Sequence, residues 1–166
     1  MRAFLIAAVV TLGACSGGEA EQNNTIAAAE ALAPGQWETV MEVVRVDKAD
    51  EAEPALKLAA GDKVTTSSCV AAGDPPAVLF AGIEEAECQY QSNYMKRGRI
   101  NVGLSCTKPG LSGTVGVNTE GDFEAESFEA NATLRTMLTT AGDSIVTARL
   151  TGRRTGDCTA EAPKAG

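Results

Sequence analysis

Five cysteines and no histidine frame the chemistry open to this chain. The absence of imidazole removes every His-based triad, every His-ligated metal site and any histidine pH switch. Four of the cysteines, Cys69, Cys88, Cys106 and Cys158, are spaced 19, 18 and 52 residues apart. A four-thiolate zinc site usually gathers its ligands in close pairs two to four residues apart, a spacing missing here. A thiol oxidoreductase would want a C-x-x-C pair, also missing. An even set of well-spaced cysteines reads as two disulfides in an oxidising compartment, with zinc or free thiols as the rivals.

The fifth, Cys15, sits in a different context. Met1-Arg2 supplies one positive charge, and Ala3 to Leu12 is a short apolar run ending in Leu12-Gly13-Ala14-Cys15. Ten residues of helix span about 15 Å, half of the roughly 30 Å bilayer core, so the run reads as an export signal and not as a membrane span. Its end resembles the bacterial lipobox, in which the Cys thiol takes a diacylglycerol and the chain is cut before it; an ordinary secretory signal with an incidental Cys is the alternative. Cys15 is therefore the expected lipidation site. The expected location is the periplasmic side of a bacterial envelope, at the outer membrane because Ser16 rather than Asp follows the Cys. Residues 1–14 would be the signal peptide and 15–33 the lipidated Cys and a tether. Ser16 to Thr25 is small and polar, as a tether requires. Ile26 to Leu32 is Ala-rich and fits either a short helix or more tether.

The rest of the chemistry is sparse. The formal net charge of -8, from 14 Lys plus Arg against 22 Asp plus Glu, argues against nucleic acid as a partner. No phosphate loop, dinucleotide fingerprint or calcium loop is present. Ser105-Cys106-Thr107-Lys108 has the letters of a Ser-x-x-Lys nucleophile, but on a strand its Ser and Lys point to opposite faces. Asp122, Glu124 and Glu126 form an acidic row that reads as a solvated face or an edge guard before it reads as a cation site. Arg153 and Arg154 could grip an anion, although an ion pair with Asp157 is the simpler role. The sequence thus calls for no catalytic residue, no metal and no cofactor.

The elements that must position these groups follow a period of two. Gly35 to Val46, Lys63 to Val70, Cys88 to Cys106 as a hairpin, Leu111 to Asn118, a strand from Asp122, a strand with Leu134 and Leu138, and a last strand with Val146, Ala148 and Leu150 all alternate. Glu120-Gly121 and Ala141-Gly142-Asp143-Ser144 read as turns, and Asp47 to Ala60 as a loop. Asp74-Pro75-Pro76 reads as a helix start, with Ala77 to Ile83 packing across the open end of the sheet. The expected fold is mainly β: an antiparallel meander forming a curved or barrel-like sheet with one short helix, over residues 34–160, with 161–166 as a tail.

Within the hairpin, a three-residue loop Lys96-Arg97-Gly98 pairs Met95 with Arg99. Tyr94 then faces Ile100, Tyr90 faces Leu104, and Cys88 faces Cys106 in a non-hydrogen-bonded pair about 4.5 Å apart at Cα. That is disulfide distance. It leaves Cys69 to bond Cys158.

Three segments together resemble a bacterial envelope family catalogued as domain of unknown function 3617: Pro34-Gly35-Gln36-Trp37-Glu38, the spacing of Cys69, Cys88 and Cys106, and Gly152-Arg153-Arg154-Thr155-Gly156-Asp157-Cys158. The resemblance covers about Ala33 to Thr159. It implies an exported protein or lipoprotein with a β-rich, four-cysteine domain, and it implies no reaction and no ligand. This chain is less Met-rich and carries an acidic insert near Asp47 to Glu53.

The function expected from these residues is a non-catalytic envelope module, tied to the membrane through its lipid and binding a small apolar ligand or an envelope protein. A structural or stress-related lipoprotein without a dedicated ligand is the alternative. An internal cavity lined by Trp37, Met41, Tyr90, Ile100, Val102 and Leu104 would favour binding; side chains filling that space would favour the structural role.

Overall fold

Alternation of apolar and polar residues makes each segment a half-buried strand, and seven such strands must share one core face. A computed structural model describes residues 29–158. Its strands are β1 (Gly35–Lys48), β2 (Lys63–Val70), β3 (Glu87–Lys96), β4 (Arg99–Thr107), β5 (Gly113–Phe123), β6 (Ser127–Leu138) and β7 (Ser144–Gly156). β3 to β7 form a meander, and β1 pairs with β7, giving the order β2-β1-β7-β6-β5-β4-β3. All pairings are antiparallel. The sheet curls into a half-barrel without closing, so β2 and β3 are free edges.

The gap between those edges is covered by the segment that links them. Its regular part is a single 3-10 turn, Ala77–Phe80, not the expected α-helix. Two prolines explain the difference. Pro76 is extended (φ -63, ψ 138), and a residue before proline is pushed out of the α region, so no helical turn can form at Asp74-Pro75. Gly82, at φ 64, ends the segment on the other side. The plug still buries Leu79, Phe80, Ala81 and Ile83 against the sheet. Two inner-face threonines serve its carbonyls: Thr39 Oγ1 donates to Leu79 O at 3.1 Å and Thr119 Oγ1 to Phe80 O at 2.9 Å. Each bond satisfies a buried carbonyl that a short helical turn cannot serve itself.

Register departs from simple alternation at bulges. In β1, Val43 faces Ala148 and Arg45 faces Thr147, so Val44 is the extra residue and is half exposed. That bulge is why Val40, Val44 and Val46 do not share one face. Glu120-Gly121, expected as a turn, is instead interior to β5. An added Cβ on Gly121 would collide with the backbone of Glu129 and Ala130, so this glycine permits close strand approach. The turn falls at Glu124-Ala125-Glu126, which splits the acidic row. Asp122 is the next-to-last residue of β5 and pairs with Arg99 at 3.4 Å, and Glu126 reaches Arg154 at 3.9 Å. Asp47 is still in β1, and the loop from 49 to 62 holds no helical turn. Residues 29–34 hold no helix either; Ile26 to Ala28 lie outside the described residues.

Candidate functional site: a pinned cleft at one end of the half-barrel

The interior of the sheet is occupied by side chains. Trp37, Phe80 and Phe128 are fully buried and packed on one another, with ring centroids 6.1 Å apart for Trp37–Phe128 and 5.2 Å for Phe80–Phe128. Trp37 Nε1 donates to Ala33 O at 3.0 Å. Val102 and Leu104 are likewise buried. Tyr90 is half buried, and its hydroxyl donates to Pro75 O at 2.9 Å. Burial, and secondarily the charge of Asp74, pushes the Tyr90 phenol well above its ordinary value. The residues expected to line an internal cavity therefore form the core, and Met41 alone among them lines the main opening described next.

That opening is a cleft of about 340 Å³ at one end of the half-barrel. Met41, Leu56, Leu58, Val64, Ile83 and Leu111 give it apolar walls, and Lys57, Lys108 and Glu84 bring charge to it. Met41 of β1 and Val64 of β2 form its floor, and three further segments supply the rest: the β1–β2 loop, the strand-linking segment after the plug, and the β4–β5 turn. The chain enters the domain at the opposite end, where Ala33 N donates to Ala125 O and Gly98 N to Ala29 O.

Hydrogen bonds hold the loop wall in place. The Asp50 carboxylate accepts from Gly142 N at 2.7 Å, Asp143 N at 3.0 Å and Ala52 N at 2.8 Å. These three amides lower the Asp50 pKa, Asp143 and Gly142 most. Ala55 N donates to Gly142 O, Ala49 N to Asp143 O, and Gly61 N to Val43 O. Lys48 bonds Glu53 and thereby lowers the Glu53 pKa. On the facing wall, Lys108 Nζ donates to Glu84 O at 2.6 Å. A loop fixed at this many points presents a preformed concavity.

No cysteine lines the cleft. Cys88 bonds Cys106 across β3 and β4 (Cα–Cα 4.1 Å), and Cys69 bonds Cys158 (Cα–Cα 5.5 Å). The first pins the edge strand β3 to the sheet. The second ties the end of β2, the other edge, to the end of the described chain. Cys106 is fully buried and disulfide-bonded, so its sulfur is not a free thiol. Arg154 is committed locally: its guanidinium bonds Pro34 O and Asp157 Oδ1, each at 2.7 Å. Ser144 Oγ is buried without a partner, out of reach of any substrate. Cys15, the expected lipidation site, lies outside the described residues.

A second, shallower depression lies on the convex face between Tyr94, Arg99, Asn101 and Glu120. There Asn101 donates to Glu120 at 3.3 Å. It has no apolar wall comparable with that of the end cleft.

Fold and site define a class: an open antiparallel half-barrel, plugged by a 3-10 turn, stapled at both edges by disulfides and notched at one end. The family model described as "Protein of unknown function (DUF3617)" matches residues 32–158, and the chain belongs to that family. No curated protein and no solved structure gave a significant match.

Proposed function

We propose that this protein is an exported, lipid-anchored module of the bacterial envelope that holds a small apolar ligand in its end cleft. The observation that carries the reading is the cleft itself. Its walls are apolar, and its loop is pinned by the Asp50 carboxylate and by the backbone hydrogen bonds of Ala49, Ala55 and Gly61 rather than collapsed onto the sheet. Such preformed apolar concavities with a few polar groups are the usual form of small-ligand sites. The anchor reading rests on the Leu12-Gly13-Ala14-Cys15 motif. Two bonded cysteine pairs fit an oxidising compartment outside the cytoplasm. The described chain enters at the end opposite the cleft, so an anchor upstream at Cys15 would leave the cleft free to face away from the membrane, with the polar tether as spacer.

The test is native mass spectrometry of the protein purified from envelopes without reduction. The expected result is a mass with two disulfides and a diacylglycerol-modified Cys15, plus a co-purifying small apolar molecule lost in Leu111→Asp. A bare mass, in preparations that also take up no added apolar ligand, would overturn the binding reading. The packed interior around Trp37, Phe80 and Phe128 favours one second reading, a structural envelope lipoprotein without a dedicated ligand. That is the reading the bare mass would support.

A further inference from the structure

The charge on the cleft says what kind of apolar ligand it takes. We infer that the occupant is a single-chain carboxylate amphiphile, of the class of a fatty acid, with its tail against Leu56, Ile83 and Leu111 and its head group between Lys57 and Lys108. This rests on the cleft being a binding site, and adds the chemical class.

Three observations carry it. First, the chain is acidic overall, with 22 Asp plus Glu against 14 Lys plus Arg, yet this cleft is lined by two lysines and one glutamate. Second, neither Lys57 nor Lys108 forms an ion pair within 4 Å among the described residues; Lys96, Arg97, Arg135, Arg149 and Arg153 form none either, but they do not line this cleft. The acid beside Lys57 is Glu53, which is already bonded to Lys48. Lys108 is held by the Glu84 backbone carbonyl, not by its carboxylate. An ammonium has three N–H donors, so this bond orients Lys108 and leaves two for a ligand. Third, the two lysines come from separate segments, Lys57 from the β1–β2 loop and Lys108 from the β4–β5 turn, and both line the one opening.

The charge sum selects the head group. Two lysines against Glu84 leave one net positive charge, which a carboxylate balances; a phosphate monoester would bring about -1.5 to -2 and overload it. The size selects the tail. A cleft of about 340 Å³ lies at the small end of ligand sites, which run from roughly 300 to 1,000 Å³, and suits one chain rather than a diacyl lipid.

The experiment is a competition by native mass spectrometry, using the full chain purified in detergent without reduction. Laurate, dodecanol and dodecylamine are offered together at equal concentration, so that all three partition from the same micelles. Laurate should be bound in excess over the other two. Lys57→Gln with Lys108→Gln should reduce that preference about tenfold, because two charge contacts at a partly exposed site are lost. Glu84→Gln should raise it two- to threefold, a direction that a merely structural role for the rim would not produce. Equal binding of laurate and dodecanol would overturn the carboxylate assignment while leaving the cleft as a binding site. Binding of none of the three, by wild-type protein with both disulfides intact, would overturn both. Preference for dodecylamine would assign the rim to Glu84 and refute the inference.

Discussion

Gly152 is a position where one methyl group should do severe damage. It lies in β7, and its missing side chain makes the notch that receives Phe128 from β6. A Cβ there would meet three Phe128 ring carbons, all nearer than 3.0 Å, a separation that real Cβ atoms essentially never show. Non-bonded carbons settle roughly 3.5–4.0 Å apart, so the ring would have to withdraw by about 1 Å or more. It has nowhere to go: Phe128 is 2% exposed and lies between Trp37 and Phe80. Overpacking of this kind costs about 1–3 kcal/mol, and each aromatic pair lost adds about 0.5–1.5 kcal/mol. Replacing a strand glycine by alanine returns about 0.5–1 kcal/mol of chain entropy. Gly152→Ala should therefore destabilise the domain by about 1–5 kcal/mol, with about 3 kcal/mol as the central expectation. The assay is urea unfolding followed by the fluorescence of Trp37, the one tryptophan and itself packed on Phe128. Two comparisons isolate the cause. Gly116→Ala, on the convex face with only the flexible, half-exposed Met137 end nearby, should be close to neutral. Phe128→Leu should relieve at least about 1 kcal/mol of the Gly152→Ala cost in a double-mutant cycle. A Gly152→Ala protein within about 0.5 kcal/mol of wild type, with unchanged tryptophan emission, would refute the reasoning.

Three further outcomes follow from features on the page. The disulfides close loops of very different length, 89 and 18 residues, so by loop entropy Cys69→Ala with Cys158→Ala should cost about 4.6 kcal/mol and Cys88→Ala with Cys106→Ala about 3.2 kcal/mol. Urea midpoints read the order, and a milder loss from the long loop would contradict it. Burial holds the Tyr90 phenol above its ordinary pKa of 10.0, so the unfolded chain sheds that proton first. The stability it contributes is whole below pH 10 and falls as pH rises beyond it. In Tyr94→Phe, where Tyr90 is the remaining tyrosine, phenolate absorbance should appear only together with unfolding. Asp50→Ala should speed amide exchange at Gly142 and Asp143, because both amides donate to that carboxylate. The wild-type Asp50 pKa is lowered by those bonds, so its contribution is present above the ordinary value of 3.8 and is lost as pH falls through the folded pKa, with exchange there rising toward that of the variant.

How far the sequence could be read is clearest in the β3–β4 hairpin. Its alternation places Cys88 opposite Cys106 and Tyr90 opposite Leu104, and so they stand. The expected three-residue loop does not. Lys96 pairs with Arg99 around a two-residue turn in which both Arg97 (φ 54) and Gly98 (φ 71) are left-handed, the geometry of a type I′ turn. That moves the register by one, and Tyr94 faces Asn101 rather than Ile100. A bulge at Gln91 moves it back before Tyr90. Neither shift carries a signal: arginine is an unusual left-handed residue, and Gln91-Ser92-Asn93 is polar on both faces, so sliding it costs little burial. Gly121 shows a different ambiguity, since a glycine chosen for close strand approach looks the same in sequence as one chosen for a turn. The strand boundaries Lys63–Val70 were legible because both ends carry clear breaks in pattern. The cleft was not legible at all. Lys57 and Lys108 lie in unrelated loops, and only the curl of the sheet makes them neighbours of one opening. The core, by contrast, absorbed the residues expected to line a cavity, because the plug delivers Leu79 and Phe80 into the space that an open half-barrel would leave.

The position of β1 has a mechanical consequence. The strand nearest the chain's entry point is not an edge strand but is hydrogen-bonded on both sides, to β2 along its first half and to β7 along nearly its whole length. Antiparallel hydrogen bonds run across the strands, so a pull on the N-terminal segment along β1 strains both ladders in shear, many bonds together, instead of unzipping them singly. The Cys69–Cys158 bond further couples β2 to the chain end beyond β7, so the two neighbours that grip β1 are themselves tied. A domain pulled through that N-terminal segment against a second point of attachment would thus be loaded along its most resistant axis. Its lifetime under tension would be set by the unfolding rate of the whole sheet and not by fraying at one edge.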